Sequence, residues 1–122
     1  FSVENIYDPK LNLRSMAINL ALTKRVRDAL SSVSHVEEKK MFRGIAFMVN
    51  GKMCVTVGDS RLMCRVDPSI HDEVIQRPGV STVKMKGRDY IGWVYVEESA
   101  ISDKRKLSYW VKLALAYNSA IH

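Results

Sequence analysis

Cysteine is scarce in this 122-residue chain: Cys54 and Cys64 are the whole complement, too few for a disulfide-stapled secreted scaffold. Reduced thiols and a cytoplasmic location are expected. No apolar run approaches the roughly 20 residues needed to span a bilayer. The N-terminus, with Glu4, Asp8 and Pro9 scattered through it, has neither the basic nor the apolar region of a secretory signal, so no membrane partner is expected. Six glycines and three prolines are too few for collagen-like or low-complexity composition. The glycines at 44, 51, 58, 79, 87 and 92 never take the spacing of a P-loop or a dinucleotide-binding turn. Cys54, Cys64, His35, His71 and His122 show no paired ligand spacing, so neither a metal nor a cofactor is expected. Serine, histidine and aspartate occur without a nucleophile elbow or triad context. Catalysis and a small-molecule substrate are therefore not expected, and His71 is read as a solvated residue on a short helix.

What is present is an ordinary globular composition, 47% hydrophobic, with 19 Lys plus Arg against 13 Asp plus Glu and a net charge of +6. The surplus favours encounters with acidic partners, without specifying one. The length suits one domain. Residues 1–15 look unlike the rest and stand before Met16, so they are read as a leader or an artificially appended segment, with the domain over 16–122.

From Ala17 to Val33, Leu22, Val26, Ala29, Leu30 and Val33 recur at helical spacing. Polar residues from His35 to Lys40 read as a connection. The period then changes: Ile45–Val49, Met53–Val57 and Leu62–Val66 are short strands, separated by Asn50-Gly51 and Gly58-Asp59-Ser60. Asp67-Pro68-Ser69 opens a short helix over Ile70–Gln76 that Pro78-Gly79 stops. Thr82–Lys86 and Tyr90–Val96 form a second hairpin around Gly87-Arg88-Asp89. Leu107, Trp110, Val111, Ala114, Tyr117 and Ile121 mark the apolar stripe of a last helix capped by Ser102 or Asp103. The order α-β(3)-α-β(2)-α predicts an α+β fold of two layers, with a five-stranded, mainly antiparallel sheet.

A two-residue Asn50-Gly51 turn pairs Val49 with Lys52, Met48 with Met53 and Ala46 with Val55. Pairing Val57 with Leu62 and Val55 with Cys64 keeps arginine off the core side. Strict alternation then places Ile45, Phe47, Val49, Cys54 and Met63, beside Arg61 and Arg65, on the face away from the helices. Cys54 and Cys64 would point to opposite faces. Ile45, Phe47, Val49 and Met63 are accordingly the expected interface, covered by a second copy in a homodimer or by another protein, the alternative being that the leader, a loop or the last helix wraps over them. Basic residues supply an alternative: Lys39, Lys40 and Arg43 before the first strand, with Lys84, Lys86 and Arg88 on the second hairpin, are candidates for contacting nucleic-acid phosphates.

The stretch from Lys40-Met41-Phe42-Arg43-Gly44-Ile45 through Asn50-Gly51-Lys52-Met53-Cys54 closely resembles the TfoX N-terminal-domain family of bacterial proteins. Leu62-Met63-Cys64-Arg65-Val66, Gly92-Trp93-Val94-Tyr95-Val96, Trp110-Val111 and Ala114-Leu115 extend the likeness over Met16 to Ile121. Arg43 stands where the family often has glycine. The resemblance implies a secretion-chaperone-like α-β(3)-α-β(2)-α fold and a link to regulators of natural competence. Longer members join this domain to a C-terminal helical domain and act with a transcription activator. It supplies no catalytic residues, and the expected function is that of a non-enzymatic regulatory interaction module.

Overall fold

The computed structural model describes residues 19–41 and 44–121. The leader assigned to residues 1–15, and Arg43, lie outside the described residues. In chain order the elements are α1 (Leu20–Ala29), β1 (Val36–Met41), β2 (Gly44–Val49), β3 (Lys52–Val57), β4 (Arg61–Arg65), a 3-10 turn (Pro68–Ile70) running into α2 (His71–Val74), β5 (Val80–Met85), β6 (Arg88–Glu97), a second 3-10 turn (Glu98–Ile101) and α3 (Lys104–Ala120). All strand pairs are antiparallel and form one open sheet in the order β1-β2-β3-β4-β6-β5. The α+β class is as expected, with six strands in place of five.

The additional strand is β1, whose residues Glu37, Glu38, Lys39 and Lys40 carry no apolar period to announce it. As an edge strand it pairs on one side only and keeps its charged side chains in water. Glu38 is tied to the first helix: Arg27 of α1 donates from Nε and Nη2 to its two carboxylate oxygens at 2.6 and 2.8 Å. This paired contact holds the Glu38 carboxyl below its usual range and raises Arg27.

Local chemistry sets the ends of the helices. Asn19 Oδ1 accepts from the Leu22 N–H at 2.9 Å to start α1, and Asp103 Oδ1 accepts from the Lys106 N–H at 2.8 Å to start α3. Helix α1 closes at Ala29, earlier than the periodicity predicts, with Leu30 as its C-cap and Ser31 and Ser32 following in a turn. The β2–β3 and β5–β6 hairpins each turn on two residues at positive φ: Asn50 (52°) with Gly51 (77°), and Lys86 (53°) with Gly87 (75°). The second turn sits one residue earlier than expected because Lys86 takes a conformation more often left to Asn, Asp or Gly.

Helices α1 and α3 pack together and over the middle of the sheet. Leu22 and Val26 of α1, its C-cap Leu30, and Leu107, Trp110, Val111 and Ala114 of α3 form one core with Phe47, Val55, Val57, Leu62, Cys64, Val66, Val94 and Val96. Each large apolar side chain so buried contributes about 1.5–3 kcal/mol relative to exposure. Long polar side chains fasten the layers: Arg25 Nη2 donates to the Ile101 carbonyl at 2.7 Å, and the buried Asn118 Nδ2 to the Val49 carbonyl at 3.1 Å.

The register differs from expectation at one point. Val49 pairs with Lys52 and Met48 with Met53 as the turn requires, but Phe47 then pairs with Val55, leaving Cys54 as an extra residue in β3. This β-bulge reverses the faces from there on. Ile45, Phe47 and Val49 turn toward the helices, Phe47 and Val49 fully into the core and Ile45 half-buried against it. Cys54 joins the same core as Cys64, so the two thiols do not point apart. The β3–β4 register is as expected, with Val55 opposite Cys64 and Val57 opposite Leu62.

Phe47 is therefore a folding residue. Phe47→Ala should lower stability by about 3–5 kcal/mol in urea denaturation. Phe47→Asp should yield an unfolded chain by circular dichroism; a folded monomer from this variant would contradict the bulged register.

Candidate functional site

The structure separates the residues proposed as an interface. Phe47, Val49 and Ile45 lie between sheet and helices, and only Met63 is on the outer face, itself 7% exposed. The basic candidates are divided as well. Lys39 and Lys40 are on β1 at one edge of the sheet, with side chains alternating to opposite faces; Lys84, Lys86 and Arg88 are on the β5–β6 hairpin at the other edge. Five strand spacings, about 24 Å, separate those edges. Lys84 is paired with Asp89 at 3.6 Å.

Pairing across the six strands defines the outer face by one row: Lys39, Ala46, Thr56, Met63, Tyr95 and Ser81. Ala46 and Thr56 in its middle are buried, and the Thr56 hydroxyl has no hydrogen-bond partner. Toward β4 and β6 the face becomes aromatic and cationic. The Arg61 guanidinium lies 3.5 Å from the centroid of the Tyr95 ring and 4.0 Å from the Glu97 carboxylate. Arg65 stands over Trp93 at 5.0 Å, and is also 5.7 Å from the Tyr117 ring of α3. Stacking of this kind is worth about 0.5–1 kcal/mol at exposed positions and orders both side chains. Alternation along β4 places Arg61 and Arg65 outward, but their aromatic partners come from β6, a pairing that skips over α2 and β5 and has no local signal.

Groups able to do chemistry are occupied internally. His71 is buried, not solvated as its short helix suggests. Its Nδ1 accepts from the Gly92 N–H at 2.9 Å and its Nε2 lies 2.9 Å from Thr82 Oγ1, so the proton is assigned to Nε2, which donates to the hydroxyl. Gly92, at φ 93°, closes a bulge in β6 where Thr82 pairs with Val94 and Val83 with Tyr90. A Cβ there would come within 3.1 Å of both Pro68 Cγ and the Val66 carbonyl oxygen. Burial pushes the Cys54 thiol up to about 12 and Cys64 further in the same direction, so neither is poised as a thiolate nucleophile. Among the described residues there is no group of three or more His, Cys, Asp or Glu side chains that could hold a metal ion, and no helix long and apolar enough to cross a membrane.

Compared with known proteins, residues 28–117, about three quarters of the chain, match the family described as the TfoX N-terminal domain. No curated protein and no solved structure matches the chain.

Two substitutions test these assignments by urea denaturation. His71→Ala leaves the Gly92 N–H without an acceptor and should cost about 1–3 kcal/mol. Thr56→Val removes an unpartnered hydroxyl from a buried position and should raise stability, by up to about 1 kcal/mol; a loss would mean that the hydroxyl has a partner after all.

Proposed function

Because the chain belongs to the TfoX N-terminal domain family, we propose that it is a non-enzymatic regulatory module acting by contact with a protein, through the outer sheet face around Arg61, Arg65, Trp93 and Tyr95. The observation that carries this is the pair of ordered stacks, Arg61 on Tyr95 and Arg65 on Trp93, on adjacent strands. Arginine, tyrosine and tryptophan are the residues that dominate binding energy at protein interfaces. Side chains already held by stacking lose less freedom when a partner arrives. A partner with an acidic rim suits the net charge of +6. Two copies that each carry +6 repel one another, which favours a different protein over a homodimer. The likeness to competence regulators makes a transcription activator in the cytoplasm the class of partner to test first. Binding of nucleic acid is less well served, because Lys39 and Lys40 stand at one edge of the sheet and Lys84, Lys86 and Arg88 at the other.

A photo-crosslinking residue at Ser81, exposed and paired with Tyr95, tests this in the living cell. A discrete protein adduct is expected, lost when Arg61 and Arg65 are both changed to Glu. An adduct at twice the chain mass would replace the partner with a homodimer, a nuclease-sensitive adduct would favour nucleic acid, and no adduct would refute a contact on this face.

A further inference from the structure

Away from the outer sheet face, a half-open groove of about 490 Å³ lies where the Pro78-Gly79 turn, the second 3-10 turn and the start of α3 meet. Small-molecule sites occupy roughly 300–1,000 Å³. Pro78, Val80, Ala100 and Trp110 contribute apolar lining, while Arg77, Arg105 and Lys106 supply three cations, and among the described residues no carboxylate lines the groove.

The acids near this groove are engaged elsewhere. Glu97 is 4.0 Å from Arg61, the Glu98 carboxylate accepts from Asn19 Nδ2 at 3.3 and 3.4 Å, and Asp103 caps α3 through the Lys106 N–H. None of the ion pairs among the described residues includes Arg77, Arg105 or Lys106. Arg77 is ordered in another way, its guanidinium 4.5 Å from the centroid of the Tyr109 ring. Tyr109 in turn stands edge-on to Trp110, 5.2 Å between centroids at 87°. Stacking on a ring face leaves the N–H edge of a guanidinium available for a paired contact with an oxyanion. Helix α3 has no acidic residue in its first turn, so Arg105 and Lys106 also oppose the helix dipole. A doubly charged anion would relieve both the mutual repulsion of the cations and that opposition.

We propose that this groove binds a small organic phosphomonoester, with the phosphate held by Arg77, Arg105 and Lys106 and an apolar or aromatic body resting on Pro78, Val80, Ala100 and Trp110. Three cations match a phosphomonoester, which carries about −1.5 to −2 at neutral pH, better than a single carboxylate. The site is independent of the protein contact proposed above, since it shares no residue with Arg61, Arg65, Trp93 or Tyr95.

The test is a titration of the full chain with 1-naphthyl phosphate, followed by the NMR signals of the Gly79 amide and the Trp110 indole. Inorganic phosphate and 1-naphthol present the two halves of the ligand separately. Saturable shifts are expected with the ester, and binding at least tenfold weaker with either half. Changing both Arg77 and Arg105 to Gln should weaken the ester at least tenfold while the circular dichroism spectrum stays that of the folded chain. Changing Lys84 and Arg88 to Gln removes the same charge from the far hairpin and should leave binding unchanged. Equal loss in both double variants would reduce the effect to net charge and overturn the site. So would the absence of saturable shifts, or either half binding as tightly as the ester. An acidic, tryptophan-containing peptide that shifts the same signals where the ester does not would overturn the phosphomonoester and reassign the groove to a protein partner.

Discussion

Two residues of β3 stand opposite one of β2 at Cys54, and the direction of the side chains along the first strands follows from that bulge. Without it, Phe47 would face away from α1 and α3 while Val55 faced toward them. With it, Phe47, Val55, Cys64 and Val94 share one row across four strands, and Ile45, Val57, Leu62, Val96 and Val80 share the next. The continuous apolar floor on which both helices rest exists because of that shift. β1 inherits the same phase: Glu38 falls on the helix side and meets Arg27, while Lys39 falls outward.

At the other end of the sheet a second irregularity is held in place by a side chain. The β6 bulge frees backbone groups around Gly92 that cannot pair with β5, and His71 takes the place of the missing strand contact. The Gly92 carbonyl accepts from the Val66 N–H at 2.8 Å, so the same residue also extends the pairing of β4 with β6. α2 is only one turn long, and its position is set by this imidazole and by the Asp67 cap of the preceding 3-10 turn, whose carboxyl the Ser69 N–H holds below the ordinary range.

Much of the fold was legible where periodicity and turn chemistry agree. Asn50-Gly51 identified its hairpin, Leu107, Trp110, Val111 and Ala114 identified α3, and the preference for keeping arginine out of the core selected the β3–β4 register. What could not be read had a physical reason in each case. Ile45–Val49 and Met53–Val57 are apolar almost throughout, and such runs fit either phase of alternation, so nothing local marked Cys54 as the extra residue. β1 is held by hydrogen bonds at an edge and needs no apolar face, so its Glu and Lys residues resembled a loop. His71 looked solvated because its burial depends on a bulge some twenty residues away in the chain. The aromatic partners of Arg61 and Arg65 depend on β4 pairing with β6, which is a property of topology.

Both margins of the sheet are lined with charge. β1 presents Glu37, Glu38, Lys39 and Lys40, and β5 with its turn presents Lys84 and Lys86. An unpaired strand is a template for a foreign strand, and closely spaced charges make such addition costly. The molecule is thereby discouraged from growing sideways into ribbons, and associations that preserve its shape are steered to its broad surfaces, not its rims.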